Sequence, residues 1–167
     1  MGDGCREQVL RVTAALGPRS ILTVGAQAAQ WLQDYADAHP DCRVVGITGT
    51  DPAAELAGVP RCDLALVAGA LEQLPAQGAG VLLSRLRDLH ARSLLVRVPI
   101  GARWPGHASH WTRNDLLGYG LQLVAQCPGE DGPVHLYRFD LYDYKSTPDW
   151  LNPDQWAHPE LWDKYRW

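Results

Sequence analysis

What this sequence lacks removes several classes of protein before any motif is sought. It has no CxxC pair: Cys5, Cys42, Cys62 and Cys127 stand far apart. That excludes the spacing of a zinc ribbon or thioredoxin-type site and leaves reduced, partly buried thiols as the expectation. It has no basic excess either, and a net charge of -4 argues against a surface that tracks nucleic-acid phosphates. The nearest thing to a basic patch, Arg85, Arg87, Arg92 and Arg97, is interrupted by Asp88, and two of the four sit on an expected helix whose polar face is solvated in any case. The longest apolar stretch, Leu64 to Leu71, is too short to span a bilayer. Asp3, Arg6 and Glu7 have no apolar run behind them, so no signal peptide is read at the start. Neither a Gly-x-Ser-x-Gly elbow nor a phosphate loop occurs, which leaves hydrolase and NTPase readings without support. These absences give the expectation of a cytoplasmic protein with no nucleic-acid or membrane partner and no metal.

What is present is an ordinary globular composition, 167 residues with 46% hydrophobic and 20% charged side chains. The length suits one domain, residues 1–145, followed by a tail, residues 146–167. Short apolar runs alternate with amphipathic segments, which predicts an α/β fold with a mostly parallel, Rossmann-like sheet and helices on both faces. Strands are expected at 20–24, 43–47, 63–68 and 93–98, each a near-continuous apolar run of the kind a buried parallel strand requires. Helices are expected at 6–16, 27–38 and 80–89, with a short turn of helix near 52–56. Thr112 reads as the N-cap of a further helix, with Asp115 in its first turn. Two last strands, 121–126 and 134–141, flank the turn-rich Pro128 to Pro133 and predict a C-terminal antiparallel hairpin.

The segment from Cys62 to Pro75, with its Asp63-Leu-Ala-Leu-Val strand and Leu71-Glu72-Gln73-Leu74 turn, resembles the fourth-strand motif of class I S-adenosylmethionine-dependent methyltransferases. The order of elements over residues 6–142 follows the same pattern. The resemblance implies a cofactor cleft over the first strand-to-helix turn, at Gly25, Gln27, Thr48 and Gly69. It also exposes departures. Where the family has an acidic residue and a Gly-x-Gly-x-Gly, this chain reads Thr23-Val-Gly25-Ala-Gln27-Ala-Ala29. Where an acid closes the second strand and holds the ribose, Thr48 stands. Between Thr48 and Asp63 there is too little chain for the family's next strand, so one edge strand is expected to be missing. Gly25 on the plain reading is a strand-to-helix turn only.

Other candidates lie around the same edge of the sheet, where open α/β folds bind ligands. Glu72 is a candidate general base or, more plainly, a helix cap. Trp104, His107, His110 and Trp111 form a loop that reads as a polar cover or a substrate or partner surface; His107 and His110 lack a third metal ligand. In the tail, Pro148, Pro153 and Pro159 each precede an acid and a tryptophan, a helix-start pattern that presents Trp150, Trp156 and Trp162. That tail either wraps over its own domain or serves as a partner or homodimer surface. Two functions follow: a non-catalytic binding or scaffold module with an eroded cofactor site and no bound cofactor, or a divergent S-adenosylmethionine-dependent methyltransferase of unknown substrate.

Overall fold

The computed structural model describes residues 4–141. Its elements are α1 (Gly4–Leu16), β1 (Ser20–Val24), α2 (Ala26–Ala38), β2 (Arg43–Ile47), α3 (Pro52–Glu55), β3 (Cys62–Val67), α4 (Ala76–Arg85), β4 (Ala91–Pro99), α5 (Arg113–Gly118), β5 (Gln122–Pro128) and β6 (Pro133–Asp140). The six strands form one sheet in the order β2-β1-β3-β4-β6-β5. The first four are parallel and the last two form an antiparallel hairpin on β4. This is the mixed Rossmann-like sheet expected from the sequence, with β2 at one edge and only α3 in the chain between β2 and β3.

The apolar runs explain the sheet's position. Along β1, β3 and β4 nearly every residue is buried because both faces are covered. One face, with Leu22, Val24, Val67, Leu94 and Val96, packs against α4, the helical turn that follows it and α5 through Leu82, Leu86 and Leu116. The other, with Ile21, Leu64, Leu66 and Leu95, packs against α1 and α2 through Val9, Trp31 and Leu32. Among the described residues no helix is long and apolar enough to cross a membrane.

Two expectations need correction. Helix α4 starts at Ala76 rather than Gly80, because Ala79 and Gly80 are buried by virtue of being small, and a Cβ at Gly80 would collide with the Tyr119 hydroxyl. The cysteines are not all reduced: Cys5 of α1 and Cys127 of β5 form a disulfide, their Cα atoms 6.0 Å apart, while Cys42 and Cys62 are free. The chain's return of β5 beneath α1 brings together two residues 122 positions apart. The proposed tail, with Trp150, Trp156 and Trp162, and the boundary at 145/146 lie outside the described residues.

Candidate functional site

At the carboxyl edge of the parallel strands, β1 ends at Val24 and the chain turns through Gly25 into α2. Gly25 has φ +100°, and a Cβ there would run into the carbonyl oxygen of Ala68. Glycine is therefore required by the packing of the turn on the end of β3. The turn's amides are also committed to the protein. Gly25 N–H donates to the Ile47 carbonyl at 2.9 Å and Ala28 N–H to the Ala68 carbonyl at 3.2 Å. Gln27 lies over Gly69, where a Cβ would sit 3.0 Å from the Gln27 Cβ. The Gln27 Oε1 atom is buried without a hydrogen-bond partner.

Between these turns is a cleft of about 310 Å³, lined by Gly25, Ala26, Ile47 to Thr50, Pro52, Gly69, Ala70, Gln73 and Leu74. None of these described residues is ionisable. Two acids beside the β2 end are engaged: Glu55 accepts from Gly49 N–H at 3.2 Å, and Asp51 accepts from Ala54 N–H at 3.3 Å as the N-cap of α3. Gly25, Thr48 and Gly69 thus meet at one cleft; Thr50, Pro52, Gln73 and Leu74 line it without having been singled out in the sequence. Gln73 and Leu74 fall in the motif-like turn after β3, but no local signal marks any of the four as lining a cleft. Thr50 follows β2, Pro52 opens α3, and Gln73 and Leu74 follow β3, so their meeting depends on the sheet order.

The remaining candidates gather under the loop after β4 and divide among other tasks. Glu72, in a 3-10 turn over Leu71–Gln73, is buried, with Oε2 unpartnered. Its backbone carbonyl accepts from Ala108 N–H at 2.9 Å, which ties the loop to the end of β3. Trp111 is not a surface residue: its ring is buried in the core, and its Nε1–H donates to Ser109 Oγ at 2.8 Å, which in turn donates to the Leu71 carbonyl at 3.2 Å. Trp104 packs over Gly129 and Gly132 in the β5–β6 turn and donates from Nε1 to the Ile100 carbonyl at 3.0 Å. His107 stacks on Trp104, and His110 stacks on His107. His110 and Trp111 border a separate open hollow of about 550 Å³ between α4 and α5. Among the described residues, no three His, Cys, Asp or Glu side chains converge on a point that could hold a metal ion.

A polar pair absent from the sequence reading sits inside the hairpin. His135 and Tyr137, two apart on β6, face α5 together, with His135 Nδ1 2.8 Å from the Tyr137 hydroxyl. Burial, followed by the positive charge of Arg113, pushes the His135 pKa down, and burial pushes the Tyr137 phenol up. The i, i+2 spacing was visible, but alternation alone does not say which face is inside.

The chain belongs to a family of unknown function, DUF6231, whose model matches residues 4–167. No curated protein matches it by sequence. Among solved structures it is similar to 1,6-didemethyltoxoflavin-N1-methyltransferase of Burkholderia thailandensis, with TM-score 0.53 and 20% identity over 83% of this chain and 79% of that one. It is similar to magnesium protoporphyrin IX methyltransferase of Synechocystis, with TM-score 0.52 and 14% identity over 80% of each chain. The N-terminal domain of EvdMO1 gives TM-score 0.54 and 11% identity over 81% of this chain and 82% of that one. The first two were solved with S-adenosylhomocysteine bound and the third in its presence. This DUF6231 protein has a class I methyltransferase-like fold, with the six-stranded sheet described above.

Proposed function

We propose that this DUF6231 protein is a non-catalytic binding or scaffold module on a methyltransferase-like fold, and that the cleft over Gly25 holds no S-adenosylmethionine. The observation that carries the proposal is the chemistry of the cleft: its described lining has no ionisable side chain. A zwitterionic methionine moiety and a ribose diol need charged or strongly accepting partners when taken out of water. Here Thr48 follows β2 where the resemblance would place a carboxylate, and the Gly25 and Ala28 amides are already bonded to the Ile47 and Ala68 carbonyls. Gly25 and Gly69 have neighbours in Ala68 and Gln27 that account for their lack of a side chain, so neither marks a ligand's approach.

One observation favours the second reading, a divergent S-adenosylmethionine-dependent methyltransferase: the buried, unpartnered Gln27 Oε1 could accept from a bound ligand. Calorimetric titration of the full chain with S-adenosylmethionine and with S-adenosylhomocysteine separates the two. Silence at millimolar ligand supports a binding module. Micromolar affinity, lost in Gln27→Leu, would establish the methyltransferase reading in its place.

A further inference from the structure

We propose that the segment opening Tyr142-Asp143-Tyr144 turns back into a hollow of its own domain, with its rings on Phe139 and Leu141 and the Asp143 carboxylate toward Arg61. The proposal does not depend on what the cleft over Gly25 binds. The hollow, of about 480 Å³, lies at the other edge of the sheet from that cleft, where Arg61 precedes β3 and Asp88 precedes β4. Phe139 and Leu141 at the end of β6 give it an apolar part, and Gly118 and Gly120 border it at the end of α5.

The glycines leave room for a ring. A Cβ at Gly118 would meet nothing within 4 Å, and one at Gly120 would find only Arg87 Nη1, at 3.9 Å. The most exposed large apolar side chains among the described residues are Leu89, 59% exposed, and Leu117, 42%. They stand next in the chain to Asp88 and Gly118 of the lining.

The charges favour an acid. Arg87 and Asp88 pair at 2.8 Å. Asp140, beside Phe139, turns to the other face of the sheet, where Ser93 and Arg138 donate to it. Arg61 donates to the carbonyls of Ala91 and Asp88 and enters none of the ion pairs among the described residues. The lining therefore holds two guanidinium groups against one carboxylate. Residues 142–167 carry five acids against three bases, and the first acid, Asp143, has a tyrosine on either side. Each tyrosine offers an apolar ring with a polar tip, which suits a hollow of this mixed character.

Position selects this occupant over a separate partner. Leu141 itself lines the hollow, so Tyr144, three residues on, lies within about 10 Å of chain. Tethering of this kind gives an effective concentration on the order of millimolar, which a free partner would have to exceed. The model of the DUF6231 family spans residues 4–167, so the domain and this segment fall within one family pattern.

Tryptic cleavage of the Lys145–Ser146 bond, which adjoins Tyr144, tests the proposal in the full chain. The bond is expected to be cut at least about tenfold more slowly than in a free peptide of residues 142–167, since cleavage tracks the population of the undocked segment. The rate should not change with protein concentration from about 1 μM to about 100 μM. Gly118→Phe fills the hollow and is expected to bring cleavage to within about twofold of the peptide's rate. Tyr142→Ser with Tyr144→Ser, compared with a peptide of its own sequence, alters no described residue and should lose the same protection, whatever Gly118→Phe does to the fold. A parent chain cut as fast as the peptide overturns the proposal. Protection left intact by the tyrosine pair, or by Gly118→Phe with the parent's far-UV spectrum, overturns it too. Protection that rises with concentration would assign the segment to a second copy and overturn it as well.

Discussion

Gly25 and Ala68 are packed so closely that residue 25 has no room for a side chain. The contact lies at the crossing of the β1 turn and the end of β3, and φ +100° adds a backbone conformation that side chains resist. Gly25→Ala is therefore expected to cost about 2–5 kcal/mol in folding stability, combining left-handed strain with overpacking. Urea denaturation measures it. A glycine kept only for a ligand would leave stability within about 0.5 kcal/mol of the parent, and that outcome would return Gly25 to a cofactor role.

The Ser109 hydroxyl links two buried groups, the Trp111 indole N–H and the Leu71 carbonyl, and so fastens the loop after β4 to the turn after β3. Ser109→Ala strands the buried indole N–H, at an expected cost of about 1–3 kcal/mol. Trp111→Phe removes the donor that would be stranded. The double variant should therefore be less destabilised than the sum of the two singles, and strict additivity in denaturation midpoints would show that the link contributes nothing.

The sheet was legible because its strands are short apolar runs punctuated by Gly and Pro. Strands β1 and β2 fall at the residues expected, 20–24 and 43–47, and a capping box at Thr112 and Asp115 starts α5 as read. The early turns of α4 were hidden, since Ala76-Gln-Gly-Ala has no large apolar residue to show a period and packs through smallness instead. Of the site, Gly25, Thr48 and Gly69 were legible as strand-end positions, and the sheet order alone brings them together. Trp111 was read as part of a surface loop because aromatic residues in a loop sequence look exposed; here Ser109 and the Ala108 amide draw that loop inward. The cysteine pairing was beyond reach, because linear spacing says nothing about two residues joined only by the closing of the hairpin under α1.

That pairing makes its own prediction. The Cys5–Cys127 disulfide closes a loop of more than a hundred residues and holds α1 on β5. In the chain-entropy account, its loss through Cys5→Ser with Cys127→Ser, or through reduction, is expected to lower stability by about 5 kcal/mol. Peptide mapping of the non-reduced protein should find Cys5 linked to Cys127, with Cys42 and Cys62 alkylated. Four alkylated cysteines in protein kept from reductant would restore the reduced thiols expected of a cytoplasmic chain.

His135 gives the fold a pH dependence of defined sign. In the unfolded chain its imidazole titrates at about 6.5. In the folded protein, burial and the nearby charge of Arg113 hold its pKa below that value. As pH falls through the unfolded value, the unfolded chain takes up a proton that the folded chain does not, and the equilibrium moves toward unfolding. His135 thus favours the folded state fully above about pH 6.5, and this advantage shrinks on acidification until the folded-state pKa is reached. His135→Gln removes the titration and leaves a side chain able to bond the Tyr137 hydroxyl. Urea denaturation from about pH 8 to about pH 5 should therefore show the parent losing more stability than the variant. Parallel curves would mean that the ring titrates as it does in water, and that the Tyr137 contact does not keep it buried.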